Sequence, residues 1–319
     1  LCISFLEISS SYSQDKNVTA FPQHVIKLIV PFTAGGPADA LARPLAEMLS
    51  KRYGYQIIVE NKPGANTAIA TQFVARANPD GYTLLLTSDA GMSLVPATQK
   101  NIPYDPAKDF VPVSMVAQLT QVLFVNANLP VNNLKDLANL ARKSPNALSY
   151  ASYGMGSQSH VSTEAMNRLL NIQMVHIPYI GASTAFPDLI SGNTQVMMSA
   201  ISGPLPYIRS NKLRAIAMVG PERHKSLLDV PTISEAGLPG FESRGWFGVV
   251  APAKTPPEVV KLLSENIWEI SQTDDFITQV IDRQGFDVAK VKPADFPEFL
   301  KQDRIKWKTR VEQMGSALN

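Results

Sequence analysis

Short apolar runs alternate with helical patterns along most of the chain, and this alternation limits the possible folds most strongly. Residues 25–30 (VIKLIV) form one apolar run, and a helical pattern begins at Pro37. Further strands are predicted at 56–60 and 82–87, with a helix at 65–77 between them. This β-α-β-α-β order predicts an α/β fold, with a parallel sheet covered by helices on both faces.

The same pattern starts again after residues 121–125. Helices are predicted at 134–142, 158–170 and 183–190, and strands at 148–152, 174–178, 195–199, 213–219 and 247–251. The stretch 110–134 predicts two strands with a turn. The last third predicts helices at 256–270, 274–283 and 293–314, and the apolar stripe of the last one predicts core packing.

Two similar α/β units and a helical tail predict two lobes, as does the length of 319 residues. A tail that packs back onto the first unit would place residues 14–124 and 246–319 in lobe 1 and residues 125–245 in lobe 2. Ligands bind at the carboxyl ends of parallel strands and at domain interfaces, so we expect the site in a cleft between the lobes.

Composition excludes several classes of protein. The net charge is +2, too balanced for the basic face of a nucleic-acid binder. Cys2 is the only cysteine, so no disulfide framework or cysteine-based zinc site is possible. The four histidines show no metal-ligand spacing, and we predict neither a metal nor a cofactor.

The first residues resemble the end of an export signal. Residues 1–8 are mostly apolar, and Ser11 and Ser13 fit the small residues of a cleavage site. We therefore expect residues 1–13 to be the end of an export signal. A cloning remnant or a disordered terminus is the alternative.

Polar residues interrupt the uncharged stretch 110–134, so no membrane span is predicted there.

Two loops are suited to bind an anion. Residues 31–39 (PFTAGGPAD) join the first strand to the first helix, and residues 152–160 (SYGMGSQSH) do the same in the second unit. Glycines allow close backbone approach, and a helix N-terminus favours negative charge. The first loop has no P-loop lysine, and the second lacks a complete dinucleotide fingerprint. If the two loops face each other, they would bind a carboxylate between them. Asp39 either contacts this ligand or stabilises the first loop.

Evidence for catalysis is weak. Residues 181–185 (GASTA) lack the second glycine of a nucleophile elbow. His160 and His176 could act as bases, but nothing in the sequence joins them to a serine and an acid. We predict that the protein is not an enzyme; a hydrolase using Ser157 or Ser183 stays as an alternative.

A series of ordered motifs resembles the Bug family, the extracytoplasmic solute receptors of tripartite tricarboxylate transporters. The resemblance runs from about residue 22 to the C-terminus. The matching motifs are FTAGG at 32–36 with Asp39, VENKPGA at 59–65, PDGYTLL at 79–85, PYDP at 103–106 with KDF at 108–110, VHIPY at 175–179 with Gly181, DVPT at 229–232 with EAG at 235–237, and WFG at 246–248.

The resemblance implies a two-lobed periplasmic binding protein, similar to type II, that closes on a carboxylated solute and works with membrane permease subunits. It implies that the two loops hold one carboxylate, partly through ordered water, and that loops at 88–90 and 181–182 and the strand end at 199 meet the rest of the ligand. The expected ligand-binding residues are Phe32, Thr33, Ala34, Gly35, Gly36, Asp39, Ser88, Ala90, Ser152, Tyr153, Gly154, Ser157, Ser159, Gly181, Ala182 and Ser199.

The sequence departs from the family pattern in places that concern the ligand. Pro37 and Ala38 stand where hydroxyl residues are frequent, Ile180 where lysine is frequent, and Ser199 where aspartate is frequent. Without that aspartate a ligand ammonium loses a partner, so we expect a dicarboxylate or aromatic carboxylate with an uncharged middle. Met92, Met155, Ile180 and Ile201 could line it with apolar surface. We expect a monomer that serves transport; a sensor for a signalling protein would need the same cleft.

Overall fold

The computed structural model describes residues 21–315, and its strands form one sheet in the order β2-β1-β3-β9-β4-β7-β5-β6, with β8 and β10 also paired to β4. The predicted signal at 1–13 lies outside the described residues. The strands are β1 (Ile26–Val30), β2 (Ile57–Asn61), β3 (Thr83–Ser88), β4 (Phe110–Asn126), β5 (Ser149–Ser152), β6 (Val175–Pro178), β7 (Val196–Ala200), β8 (Leu213–Met218), β9 (Arg244–Pro252) and β10 (Asp287–Val288).

Helices follow most of the strands. They are α1 (Pro37–Tyr53), α2 (Ala68–Ala75), α3 (Val95–Thr98), α4 (Leu134–Lys143), α5 (Gln158–Leu170), α6 (Ala182–Ser191), α7 (Leu205–Arg209), α8 (Pro257–Ser271), α9 (Asp274–Phe276), α10 (Asp282–Gln284) and α11 (Phe296–Met314). Ala65–Thr67 and Pro293–Asp295 form 3₁₀ turns, and Ala90–Leu94 and Ile277–Ile281 form π-helical turns. None of these helices is long and apolar enough to cross a bilayer.

The prediction of two strands and a turn in 110–134 was wrong, because β4 is one continuous strand of 17 residues. Its first part pairs with β9 as far as Thr120, and from Gln121 it pairs with β7 and β8. Two of the polar residues that suggested a turn, Thr120 and Gln121, are bonded within the fold. The backbone N–H and the hydroxyl of Thr120 both donate to Asp287, and Gln121 donates to Gln158.

Each half of the sheet carries its own parallel strands and its own core. β1 lies between β2 and β3, all parallel, and β5 lies between β6 and β7, also parallel. Leu41 and Leu45 of α1 pack in the first core with Ile267 of α8. Leu137 of α4 and Met166 of α5 pack in the second. The two-lobed α/β fold is confirmed, whereas the exact lobe boundaries stay a prediction.

The helical tail contacts both halves of the molecule. α8 packs on β4 and α1, as predicted for a tail that returns to the first unit. α11 packs on β4 but also on α5 of the second half. Its predicted core stripe is confirmed, since Phe296, Leu300, Trp307 and Met314 are buried.

Candidate anion-binding cleft

The two predicted loops occupy equivalent positions in the two halves. The first connects the carboxyl end of β1 to α1, and the second connects the carboxyl end of β5 to α5. Both β1 and β5 are central in a set of three parallel strands. Each loop therefore brings a helix N-terminus of at least three turns to the edge where ligands of α/β proteins bind.

A network around Asp39 holds the first loop. The carboxylate of Asp39 accepts hydrogen bonds from the N–H of Gly35 (2.9 Å), from Arg43 (2.9 Å) and from Asn61 (3.0 Å). Asn61 also donates to the carbonyl of Phe32 at 3.1 Å. Burial alone would raise the pKa of Asp39, but these hydrogen bonds outweigh it and lower the pKa. Asp39 thus orients the loop, the second of the two roles considered for it.

The exposed side of the first loop offers main-chain atoms to a ligand. Thr33, Ala34 and Gly35 are exposed, and a Cβ atom placed on Gly35 would have no neighbour within 4 Å. Gly35 has a φ of 78°, which favours glycine. The first N–H groups of α1, on Ala38 and Asp39, have no acceptor among the described residues. They are available to an anion.

Serine side chains in the second loop are used to hold it. Ser152 is fully buried, and its hydroxyl lies 2.7 Å from Nε2 of His176 and bonds to Gly154. Ser157 caps α5 by accepting from the N–H of His160 at 3.4 Å. The hydroxyl of Ser159 donates to the carbonyl of Met198 at 2.5 Å. These three residues lie at the predicted site, but their hydroxyls already have partners.

The hydroxyl of Tyr153 lies at the same loop. Its oxygen accepts from Nε2 of Gln121 at 3.1 Å, and its O–H can donate to a further acceptor. Burial, and next the charge of Asp89, raises the pKa of Tyr153, so the hydroxyl keeps its proton. The N–H of Gln158 has no acceptor among the described residues.

Three stacked rings support the second loop from behind. The rings of His160 and His176 lie 3.9 Å apart and nearly parallel, and Tyr150 stacks on His176 at 4.9 Å. The N–H of Gly156 donates to Nδ1 of His160 at 3.0 Å, and Tyr150 donates to Glu164 at 2.5 Å. Burial lowers the pKa of His176 to about 4, and burial together with His176 lowers that of His160 to about 4. Both rings are neutral near pH 7.

The remaining predicted residues lie on neighbouring loops and strand ends. Gly181 and Ala182 begin α6, and the loop before them touches the second loop, since a Cβ on Gly154 would lie 3.7 Å from the carbonyl oxygen of Tyr179. Ser199 is buried at the end of β7, and its hydroxyl bonds to Ala200. On the first half, the hydroxyl of Ser88 accepts from the N–H of Ala90 at 3.2 Å.

The predicted apolar lining divides into two kinds of residue. Met92 and Ile201 are fully buried in the hydrophobic cores of their halves. Met155 and Ile180 are exposed, Ile180 by 96%. Only these two lie on accessible surface, and the apolar lining stays a prediction.

Asp89 stands in the loop at 88–90, which the resemblance implied for the far end of the ligand, but it was not among the expected ligand-binding residues, and Gln121 was not predicted at all. Asp89 follows β3 as the two loops follow β1 and β5. It is 7% exposed, and its Oδ2 atom has no hydrogen-bond partner in the described part of the chain. Gln121 could not be recognised because the continuity of β4 brings it to Tyr153.

The structure offers little for catalysis. The hydroxyl of Ser152 lies 2.7 Å from Nε2 of His176, and no carboxylate among residues 21–315 bonds to that histidine. A base whose pKa is about 4 is weak near neutral pH. Within the same residues no group of three or more His, Cys, Asp or Glu side chains could hold a metal ion.

Residues 41–316 match the family model described as tripartite tricarboxylate transporter family receptor. Protein BugT of Bordetella pertussis is 34% identical over 303 residues, which cover 93% of this chain and 91% of BugT. Among solved structures, R. palustris Rpa4515 with adipate is 30% identical, with a TM-score of 0.81 and coverage of 92% and 98%. MatC from Rhodopseudomonas palustris with bound malate is 30% identical, with a TM-score of 0.77 and coverage of 91% and 100%.

Proposed function

This chain belongs to the family of tripartite tricarboxylate transporter receptors, and we propose that it captures a small dicarboxylate or aromatic carboxylate in the cleft between its two loops. The observation that carries the proposal is the pair of free helix N-termini. Among residues 21–315, the N–H groups of Ala38 and Asp39 on α1 and of Gln158 on α5 have no acceptor, and the hydroxyl of Tyr153 lies at the same loop as Gln158. Such donors suit a carboxylate and need no arginine or lysine.

The choice of ligand class follows from the side chains around these donors. Ile180 and Met155 present apolar surface beside the second loop. Ser199, at the end of β7, carries no charge for a ligand ammonium. Adipate in Rpa4515 and malate in MatC are both dicarboxylates bound by proteins of this fold, which supports the same class here.

The proposal also covers the cellular location of the protein and its protein partner. We propose that the protein acts in the periplasm, after export by an N-terminal signal, and delivers its solute as a monomer to the permease subunits. Binding would shift an open form towards a closed one by rotation about the strands shared by the two halves. A sensor that reports to a signalling protein would use the same cleft, whereas a hydrolase finds no support in the Ser152–His176 contact.

A thermal-shift screen of the purified protein tests the proposal. The panel contains mono-, di-, tri- and aromatic carboxylates, amino acids and uncharged diamides of the same lengths. A ligand at about 100 times its Kd adds about 2.7 kcal/mol to the free energy of unfolding, which is readily measured. We expect a shift with one class of carboxylate and none with the matched diamides. Mass spectrometry of the denatured protein checks for a ligand retained from expression. Absence of any shift from ligand-free protein would contradict the proposal.

A further inference from the structure

Gln121 lies where β4 passes from the first half of the sheet to the second. Its neighbour Thr120 still pairs with Arg244 of β9. Gln121 itself pairs with Ala200 of β7, and it is only 1% exposed. Ser243, just before β9, lies in the other connection between the halves, and its hydroxyl donates to Oε1 of Gln121 at 3.3 Å. One buried amide therefore contacts both connections.

The amide nitrogen of Gln121 reaches the second loop. Nε2 donates to the hydroxyl oxygen of Tyr153 at 3.1 Å and to Oε1 of Gln158 at 2.6 Å. A primary amide has two N–H hydrogens, so these bonds use its whole donor capacity. On the other side, the hydroxyl of Ser243 also lies 2.7 Å from that of Ser162 in α5. Rotation of the Gln121 side chain would break both bonds to the loop.

These two bonds decide which hydrogens the second loop can offer to a ligand. Since Gln121 donates to the oxygen of Tyr153, the hydroxyl hydrogen of Tyr153 has to find its acceptor elsewhere. Gln158 is the first residue of α5, and its main-chain N–H has no acceptor among residues 21–315. Tyr153 is an expected ligand-binding residue, and this N–H is one of the donors proposed for the carboxylate.

We propose that Gln121 is a positioning residue, which orients Tyr153 and Gln158 so that their hydrogens face the ligand carboxylate. The inference rests on the proposed function and deepens it, by adding a residue that acts on the ligand only through others. A buried amide whose donors are all bonded holds its neighbours in one arrangement, because any other arrangement leaves buried polar groups without partners. The bond to Ser243 also ties this arrangement to the strands that join the halves.

A double-mutant cycle measured by calorimetry tests this role, with adipate, malate and benzoate as probes. Gln121→Met keeps a side chain of similar length but removes both donors, and Tyr153→Phe removes the hydroxyl. Each variant should bind the tightest of the three probes about tenfold more weakly than the wild type. If Gln121 acts through Tyr153, the double variant should stay well short of the loss of about a hundredfold that independent effects would give.

Amide NMR signals separate positioning from general damage to the fold. In Gln121→Met, the N–H signal of Gln158 should respond less to saturating probe, while that of Ala38 on the first loop responds as in the wild type. Gln118→Met is the matched control, because Gln118 is a glutamine of the same strand, 5% exposed, whose Oε1 has no partner among residues 21–315. It should bind as the wild type does. If Gln121→Met does not fold, Gln121→Asn replaces it, since its shorter amide cannot reach both partners.

The contradicting outcomes separate this inference from the proposed function. If the wild type binds a probe and Gln121→Met binds it equally well, or if the two losses multiply in full, Gln121 does not position Tyr153 and this inference fails alone. It also fails alone if Tyr153→Phe binds as the wild type does, because no hydroxyl contact is then left to orient. If the ligand-free wild type binds none of the three carboxylates, the proposed function fails and the inference with it.

Discussion

At the scale of single residues, side chains of the cleft fix the conformation of the two loops, and main-chain N–H groups are the donors proposed for the ligand. Asp39 orients the first loop, and Ser152 and Ser159 fix the second. Within residues 21–315, the N–H groups of Ala38, Asp39 and Gln158 are left without an acceptor. A site built in this way depends on the position of main-chain atoms, so adding a side chain to the loop should affect binding more than removing one.

Gly35→Ala tests this dependence. A Cβ atom on Gly35 would enter open space, where we propose that the ligand binds, and alanine is strained at its φ of 78°. We expect a loss of about 1 kcal/mol in the free energy of unfolding and a large loss of carboxylate affinity, measured by calorimetry. Gly54→Ala is the matched control, since Gly54 ends the same helix with a φ of 73° and no neighbour within 4 Å. Equal affinities of the two variants would contradict the placement of the site.

Sequence reasoning located the loops correctly but could not assign each side chain its partner. The glycines, and the helix starts at Pro37 and Gln158, follow from local chemistry. The bonds of Ser159 to Met198, and of Gln121 to Tyr153, join residues far apart in the sequence. The loop that contains Asp89 was predicted, but the burial of Asp89 was not, because α11 packs on the turn that follows it.

At the scale of elements, most strands and helices could be predicted, since each has its own periodic spacing of apolar residues and residues that are typical of its ends. β4 could not, because its polar residues resemble a turn until their partners on β10 and α5 are known. The π-helical turn Ala90–Leu94 and the short helices α3 and α7 were also missed. They are too short for a periodic pattern, and tertiary contacts define them.

The stacked rings of Tyr150, His160 and His176 should make the folded protein less stable in acid. The folded-state pKa values of His160 and His176 lie below the ordinary value, so the unfolded chain takes up protons first. Stability is therefore full above about pH 6.5 and falls as the pH drops towards about 4. His176→Gln keeps a group able to bond Ser152 but does not titrate. Between about pH 7 and about pH 4.5 the wild type should lose roughly 2 kcal/mol more than this variant in denaturant unfolding.

An exposed histidine provides the control for that measurement. His24 lies on the surface, so His24→Gln should retain the wild-type dependence of unfolding on pH. If His176→Gln loses stability in acid as steeply as the wild type, the neutral stacked pair is not the cause. The second loop would then be supported by other contacts.

At the scale of the whole molecule, the two halves are joined by more than the shared strands. α11 packs on both, and its Arg310 donates to the carbonyl of Glu242. Lys290 lies 2.7 Å from Glu222, which links the tail to the loop after β8. Any closing motion has to be compatible with these contacts. The sequence predicted a returning tail, but not that its last helix would also contact α5.

Trp307→Ala tests the importance of α11. Trp307 is fully buried and packs with Leu94 from the first half and Val161 from the second. Its removal should lower the free energy of unfolding by about 3–5 kcal/mol. Ile305→Ala, on the exposed side of the same helix, should change it by less than about 0.5 kcal/mol. Similar small effects in both variants would show that α11 does not join the two halves.

The most direct test of the account is an amide NMR titration of the isotope-labelled, ligand-free protein with adipate. A carboxylate held between the halves should shift the N–H signals of Ala38 and Asp39 on α1 together with Gln158 on α5. The corresponding first amides of α4, on Lys135 and Asp136, should not move. Shifts confined to one half, or to the apolar groove of about 740 Å³ beside Val260 and Trp268, would contradict the claim that two helix N-termini capture the ligand.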